Sequence, residues 1–238
     1  MNASQLVFER YEKKYLLNSR QYEAFRKEAD KHFHMGEYGR SGIYNIYYDT
    51  PDFLLIRRSI NGGVYKEKLR LRAYSVPEDG SPAFVELKKK YKGIVYKRRI
   101  EMNYGEAFEY LGSSEHISGE NQIASELDYF FDFYKYLEPQ MVISYDRIAL
   151  TGNDDPNLRI TFDNNILWRT DSLDLRKGVF GEQLLADGMV LMEVKIPEAM
   201  PLWMAETISR LKIYPTSFSK YGMAYKQLIS DTQCLARA

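Results

Sequence analysis

Hydrophobic and polar positions alternate with a period of two through most of this chain. In an extended strand, residues two apart share a face. Over 64–74, 83–91 and 94–103 the alternation predicts three consecutive strands, with turn signals at Pro77, Gly80, Pro82 and Gly93. The first sets Lys66, Lys68, Arg70 and Arg72 against Tyr65, Leu69 and Leu71, with Glu67 among the apolar positions. The second sets Glu86, Lys88 and Lys90 against Val85 and Leu87, and the third Lys97, Arg99 and Glu101 against Ile94, Tyr96, Ile100 and Met102. Like charges opposed across a ladder are unfavourable, so these faces call for an anionic partner.

The same period predicts strands over 6–17, 43–50, 140–151, 158–166 and 188–197, with ILWRTDS as a further candidate. Helical spacing marks 19–33, 51–60, 105–113, 121–135, 200–212 and 221–230. Asn18 or Ser19 reads as an N-cap, Pro51 as a first-turn residue, and Gly36, Gly39 and Gly42 as a loop. There is no βαβ rhythm and no glycine-rich nucleotide loop. The pattern predicts an α+β chain, one domain over 1–238, with about eight antiparallel strands and peripheral helices.

Solvated faces of antiparallel sheets usually mix in Thr, Ser and Gln, whereas these are mostly Lys, Arg and Glu. If the helices cover the apolar side, the charged side lines a closed barrel. Its interior would carry Arg10, Glu12, Lys14, Lys68, Arg70, Arg72, Glu86, Lys88, Lys97, Arg99, Arg147, Arg159, Glu193 and Lys195. A plain sheet with one face in water is the other reading. An excess of guanidinium and ammonium groups suits a polyanion, because Arg grips phosphate oxygens bidentately and Lys supplies compact charge. The few carboxylates are candidates for a divalent metal shared with substrate phosphates.

Composition narrows this further. Lys and Arg total 33 and Asp and Glu 33, so net charge makes no case for nucleic-acid or membrane binding. The cations are concentrated in 57–72 and 88–99, while 101–138 is acidic. A single cysteine, Cys234, excludes an intrachain disulfide and a thiolate-rich zinc site. His32 and His34 fall where a helix is expected to end, and a solvated role is expected for them. No signal-peptide core or run of about 18 apolar residues occurs, so a cytoplasmic setting is expected.

The segments FERYEKKY, KLRLRAY, FVELKKK, VYKRRI, SYDRIAL, LRITFDNNI, LMEVKIP and SFSKYG, in that order, resemble the successive motifs of the VTC domain. This is the polyphosphate polymerase domain of the vacuolar transporter chaperone complex, within the triphosphate tunnel metalloenzyme superfamily. The likeness spans about 7–228. It implies an antiparallel barrel tunnel that converts nucleoside triphosphate into linear polyphosphate with Mn2+ or Mg2+. It implies tunnel roles for Lys14 and Arg10, phosphate-binding roles for Arg70 and Arg72, and further cationic roles for Lys88, Lys97, Arg147 and Arg159. Tyr145 shares the face of Arg147, Arg99 lines the same interior, and Ser219 with Lys220 matches a closing Ser-Lys pair. Glu193 matches the metal-binding glutamate. Glu12 takes the place of an acidic residue whose usual spacing FERYEKKY does not keep.

Three functions stay open on sequence: a polymerase that releases ADP from ATP, a hydrolase of triphosphate or tripolyphosphate in the same tunnel, and a non-catalytic polyphosphate sensor. The expected partners are ATP or another triphosphate and inorganic polyphosphate. A nucleic-acid platform would need aromatics beside the cations, and Tyr65 and Tyr96 fall on the opposite face. Any membrane partner would have to be supplied by another chain.

Overall fold

The computed structural model describes residues 11–92, 94–113 and 122–235. Its strands are β1 (Tyr11–Leu17), β2 (Phe33–Asp49), β3 (Tyr65–Ala73), β4 (Pro82–Tyr91), β5 (Ile94–Asn103), β6 (Glu138–Gly152), β7 (Arg159–Arg169), β8 (Glu182–Gln183), β9 (Val190–Ile196) and β10 (Pro215–Thr216). Its helices are α1 (Ser19–Ala29), α2 (Leu54–Ile60), α3 (Tyr104–Gly112), α4 (Gln122–Tyr134), α5 (Leu202–Arg210) and α6 (Lys220–Leu235). Arg10, Gly93 and His116 lie outside the described residues.

The α+β class matches the alternation. Hydrogen-bonded strands follow the order β10-β1-β9-β7-β6-β2-β3-β4-β5, with β8 on β7. Among the described residues no pairing joins β10 to β5, so the expected closed barrel is corrected to an open, mostly antiparallel sheet. One end of the path is only a two-residue ladder, Lys14 with Thr216 and Tyr15 with Pro215, too short to close a barrel by backbone bonds.

The glycine-marked segment 36–42 is also corrected: β2 runs straight through it. A Cβ at Gly42 would stand 2.4 Å from the Tyr44 hydroxyl, so glycine there admits a neighbouring side chain into a strand. ILWR extends β7 instead of starting another strand. Pro51 precedes α2, whose N-cap, Phe53, has left-handed backbone at φ 57°.

The chain forms two compact units, one drawn from the described residues of 1–41, 146–165 and 185–218, the other from 42–145, 166–184 and 219–235. In the first, α1 begins with a capping box. Asn18 Oδ1 accepts from the Gln21 backbone at 2.9 Å, and Gln21 Oε1 accepts from the Asn18 backbone at 3.1 Å. The helix buries Phe25 and Ala29 in a core that includes Tyr15, Leu17, Phe162 and Met192, and Tyr22 meets Phe162 edge-on at 5.1 Å. His32 is not simply solvated: it stacks on Trp203 with ring centroids 4.2 Å apart, because α5 brings the indole to the end of α1.

In the second unit, Leu69, Leu71, Val85 and Leu87 from β3 and β4 pack with Tyr104 and Leu111 of α3 and Leu127 and Phe130 of α4. Burying each such side chain stabilises by about 1.5–3 kcal/mol. Glu67, the acid among these apolar positions, is buried and accepts from Tyr65 Oη at 2.5 Å and Tyr134 Oη at 2.6 Å. Burial, and then the Glu67 charge, pushes both phenols up. With Leu69, Leu71, Val85, Leu87, Ile100 and Met102 of the apolar face covered by α3 and α4, the charged face is left for chemistry. Tyr65, Ile94 and Tyr96, at the far end of that apolar face, stay exposed.

Candidate functional site

Antiparallel pairing decides which cations of the second unit meet. Arg70 of β3 lies opposite Glu86 of β4, which lies opposite Arg99 of β5. Glu86 is 1% exposed. Its Oε2 accepts from Arg70 Nε at 2.7 Å, its Oε1 from Arg99 Nε at 2.8 Å, and Lys97 Nζ is 2.7 Å from Oε1. Arg72 Nε stands 3.8 Å from the same carboxylate and donates to Asn45 Oδ1 at 2.9 Å. Four cations thus gather on one acid. Burial alone would raise the Glu86 carboxyl, but Arg70, Arg72 and Lys97 outweigh it and hold it far below the usual carboxylate range. Burial pulls the Lys97 ammonium down, helped by Arg99 and Arg70 and opposed by Glu86.

Two rungs further along, on the same face, Lys68, Lys88 and Lys97 are directly opposed on three adjacent strands. Such a row is unfavourable unless anions are near. Lys68 Nζ donates to Ser219 Oγ at 2.8 Å, and the same hydroxyl accepts from the Gly222 backbone at 3.2 Å, capping α6. Lys220 Nζ stands over the Tyr145 ring, 4.3 Å from its centroid, a cation–π contact. Tyr47 stacks on Tyr221 at 4.5 Å, and its hydroxyl accepts from Arg70 Nη1 at 3.3 Å. Burial raises the Tyr47 phenol, but Arg70, Arg72 and Lys220 more than offset it, leaving it below its ordinary value.

In the first unit, Lys14 of β1 pairs with Glu193 of β9, which pairs with Thr161 of β7. Two rungs along, on the same face, are Glu12, Lys195 and Arg159. Lys14 Nζ lies 3.2 Å from Glu193 and 3.3 Å from Glu12, and donates to the Phe218 carbonyl at 3.2 Å. Arg147 grips the fully buried Asp163 through Nε at 2.6 Å and Nη2 at 2.7 Å, with Nη2 3.9 Å from Glu193. Arg159 is exposed, its Nε donating to the Pro156 carbonyl at 3.2 Å, apart from this network.

Among the described residues no group of three or more His, Cys, Asp or Glu side chains is arranged to hold a metal. Glu12 and Glu193 nevertheless share one cation, Lys14. Hard divalent ions bound with phosphates commonly use only one or two carboxylates, leaving the other positions to phosphate oxygens and water. This donor set fits such an ion.

Ser219 and Lys220 are implied by the family resemblance alone, while alternation identifies the cationic faces of β1, β3, β4 and β5 and sets Tyr145 beside Arg147. It gives no weight to Tyr47, Asn45 or Asp163 as partners. Asp163 stands four residues from Arg159 on the same face of β7, but its partner is Arg147 on β6.

The fold resembles solved structures of low sequence identity. A candidate adenylate cyclase from Bacillus halodurans is 16% identical with a TM-score of 0.55, covering 87% of this chain and 92% of its own. A candidate adenylyl cyclase from Hippeastrum, described with a dominant triphosphatase activity, is 13% identical with a TM-score of 0.52, covering 91% and 95%. No curated protein matches the sequence. The fold is that of the triphosphate tunnel metalloenzymes. Within that class the chain belongs to the VTC domain family, whose model matches residues 9–229.

Proposed function

We propose that the protein is a metal-dependent polyphosphate polymerase, transferring the γ-phosphoryl group of ATP to the end of a growing chain and releasing ADP. The observation that carries this reading is the convergence of Arg70, Arg72, Lys97 and Arg99 on Glu86. A site with four cations and one acid retains positive charge for a polyphosphate. Family membership supports the same reading.

In this reaction a terminal oxygen of the chain attacks the γ-phosphorus as the bond to the β–γ bridging oxygen breaks. The electron pair of that bond leaves on ADP. The attacking phosphate is already anionic near neutrality, so no general base is needed. Catalysis then rests on positioning and on charge stabilisation by fixed cations. Arg70 and Arg99 are held by Glu86 in fixed orientation, Lys68 is steered by Ser219, and Lys220 is steered by the Tyr145 ring. Glu193 with Glu12 would hold Mn2+ or Mg2+, which when bound supplies Lewis-acid neutralisation of phosphate oxygens. The cytoplasm, as the source of ATP, is the proposed compartment.

Incubation with ATP and Mn2+, followed by a polyphosphate-stained gel and assays of ADP and free phosphate, tests this. Long chains with matching ADP, lost in Glu193→Ala and Arg70→Ala, are expected. Free phosphate without chains would make the protein a hydrolase. Tripolyphosphate binding without turnover would make it a sensor.

A further inference from the structure

The β3–β4–β5 sheet ends in a surface that the polymerase reading does not use. Its last rung is Tyr65, Tyr91 and Ile94, and the next is Lys66, Lys90 and Val95. Val64, Ile94 and Val95 are 63%, 57% and 48% exposed, and Tyr65, Tyr91 and Tyr96 are each about half exposed. Lys66, Lys89, Lys90 and Lys92 interleave with them, and none of these four forms an ion pair among the described residues. Lys92 stands over the Tyr91 ring at 5.5 Å. The third rung is Glu67, Lys89 and Tyr96, and its acid, Glu67, is buried and engaged by two phenols.

We propose that this end of the sheet docks on an anionic lipid bilayer, with Val64, Ile94 and Val95 entering the acyl boundary and the four lysines meeting lipid phosphates. Aliphatic tips bury area in the bilayer, tyrosines suit the headgroup level, and lysines draw the tip to negative charge. Each of these terms is weak alone, and stable membrane binding takes two such signals together. A single-stranded nucleic acid would use the tyrosines and lysines but gains nothing from three exposed aliphatic side chains, since base stacking needs rings. A second copy placed symmetrically on the patch would oppose lysines to lysines. No helix among the described residues is long and apolar enough to cross a membrane, so the contact is peripheral.

Flotation of the full chain with vesicles of phosphatidylcholine, with or without about 30 mol% phosphatidylglycerol, tests the proposal. Binding is expected only with the anionic lipid, and it should weaken in about 0.5 M salt. The pair Ile94→Ser and Val95→Ser should lose about tenfold in partitioning with an unchanged melting temperature. A Val95→Trp variant, whose native indoles Trp168 and Trp203 are mostly buried, should shift to the blue on anionic vesicles and be quenched by brominated lipid. Absence of flotation, flotation indifferent to the tip substitutions, an unquenched indole, or tip-dependent binding of a single-stranded oligonucleotide in place of vesicles each overturns it.

Discussion

Arg70 and Glu86 face each other across β3 and β4 with Nε 2.7 Å from Oε2, and the carboxylate is almost wholly removed from water. Arg99 completes the contact from β5. The cations proposed to bind phosphate are therefore ordered by an internal acid before any ligand arrives. Removing one partner of a buried ion pair leaves the others uncompensated, which is where the cost lies.

Glu86→Gln keeps the shape and removes the charge. Arg70, Arg99 and Lys97 retain solvent contact, so the loss of stability is discounted to about 1–3 kcal/mol, read from denaturant unfolding. Tripolyphosphate supplies the missing anion, so it should raise the melting temperature of this variant more than that of the wild type. An equal rise in both would separate the ligand from this cluster.

The same carboxylate sets a pH dependence. Its folded value is depressed by Arg70, Arg72 and Lys97 acting against burial, so the unfolded chain binds its proton more readily. The stabilisation is present above the ordinary glutamate value of about 4.3 and is lost as pH falls below it toward the depressed folded value. Unfolding free energies from pH 7 to pH 3 should fall more steeply for the wild type than for Glu86→Gln below about pH 4.5. Parallel curves would contradict the assignment.

Lys14 is the cation now shared by Glu12 and Glu193. Lys14→Met should therefore strengthen Mn2+ binding measured by electron paramagnetic resonance, while Glu193→Gln should weaken it about tenfold or more. Unchanged affinity in Glu193→Gln would remove this pair of carboxylates as the metal site.

Asp49 is buried and accepts from the backbone of Thr50, Leu55 and Ile56 and from Tyr221 Oη at 3.0 Å. Tyr221→Phe takes away one donor while keeping the ring that stacks on Tyr47. A loss of about 1–2 kcal/mol in stability with little change in turnover is expected from unfolding and steady-state assays. A large fall in turnover at unchanged stability would give the hydroxyl a chemical role.

Strand alternation made the cationic faces legible, because a buried opposite face forces register and periodicity to agree. Arg70 and Arg72 were readable as needing an anion. That much of the anion is Glu86 was not, since cross-strand pairing is not written in local spacing. The glycines of 36–42 resemble a loop because sequence records their freedom but not the Tyr44 side chain that one of them accommodates. Closure of the barrel was expected from charged faces, covering helices and the family resemblance, none of which specifies which strand edges pair. Arg159 shares a periodicity with Thr161 and Asp163, yet its long side chain turns to the Pro156 carbonyl, a choice made by the turn before β7.

The most direct test of the central claim follows the terminal phosphate of γ-labelled ATP in the presence of Mn2+. Label recovered in chains, in a one-to-one ratio with ADP and reduced about 10²-fold or more in Arg70→Ala, is the predicted result. Label recovered only as free phosphate, or transfer to chains undiminished in Arg70→Ala, would contradict it.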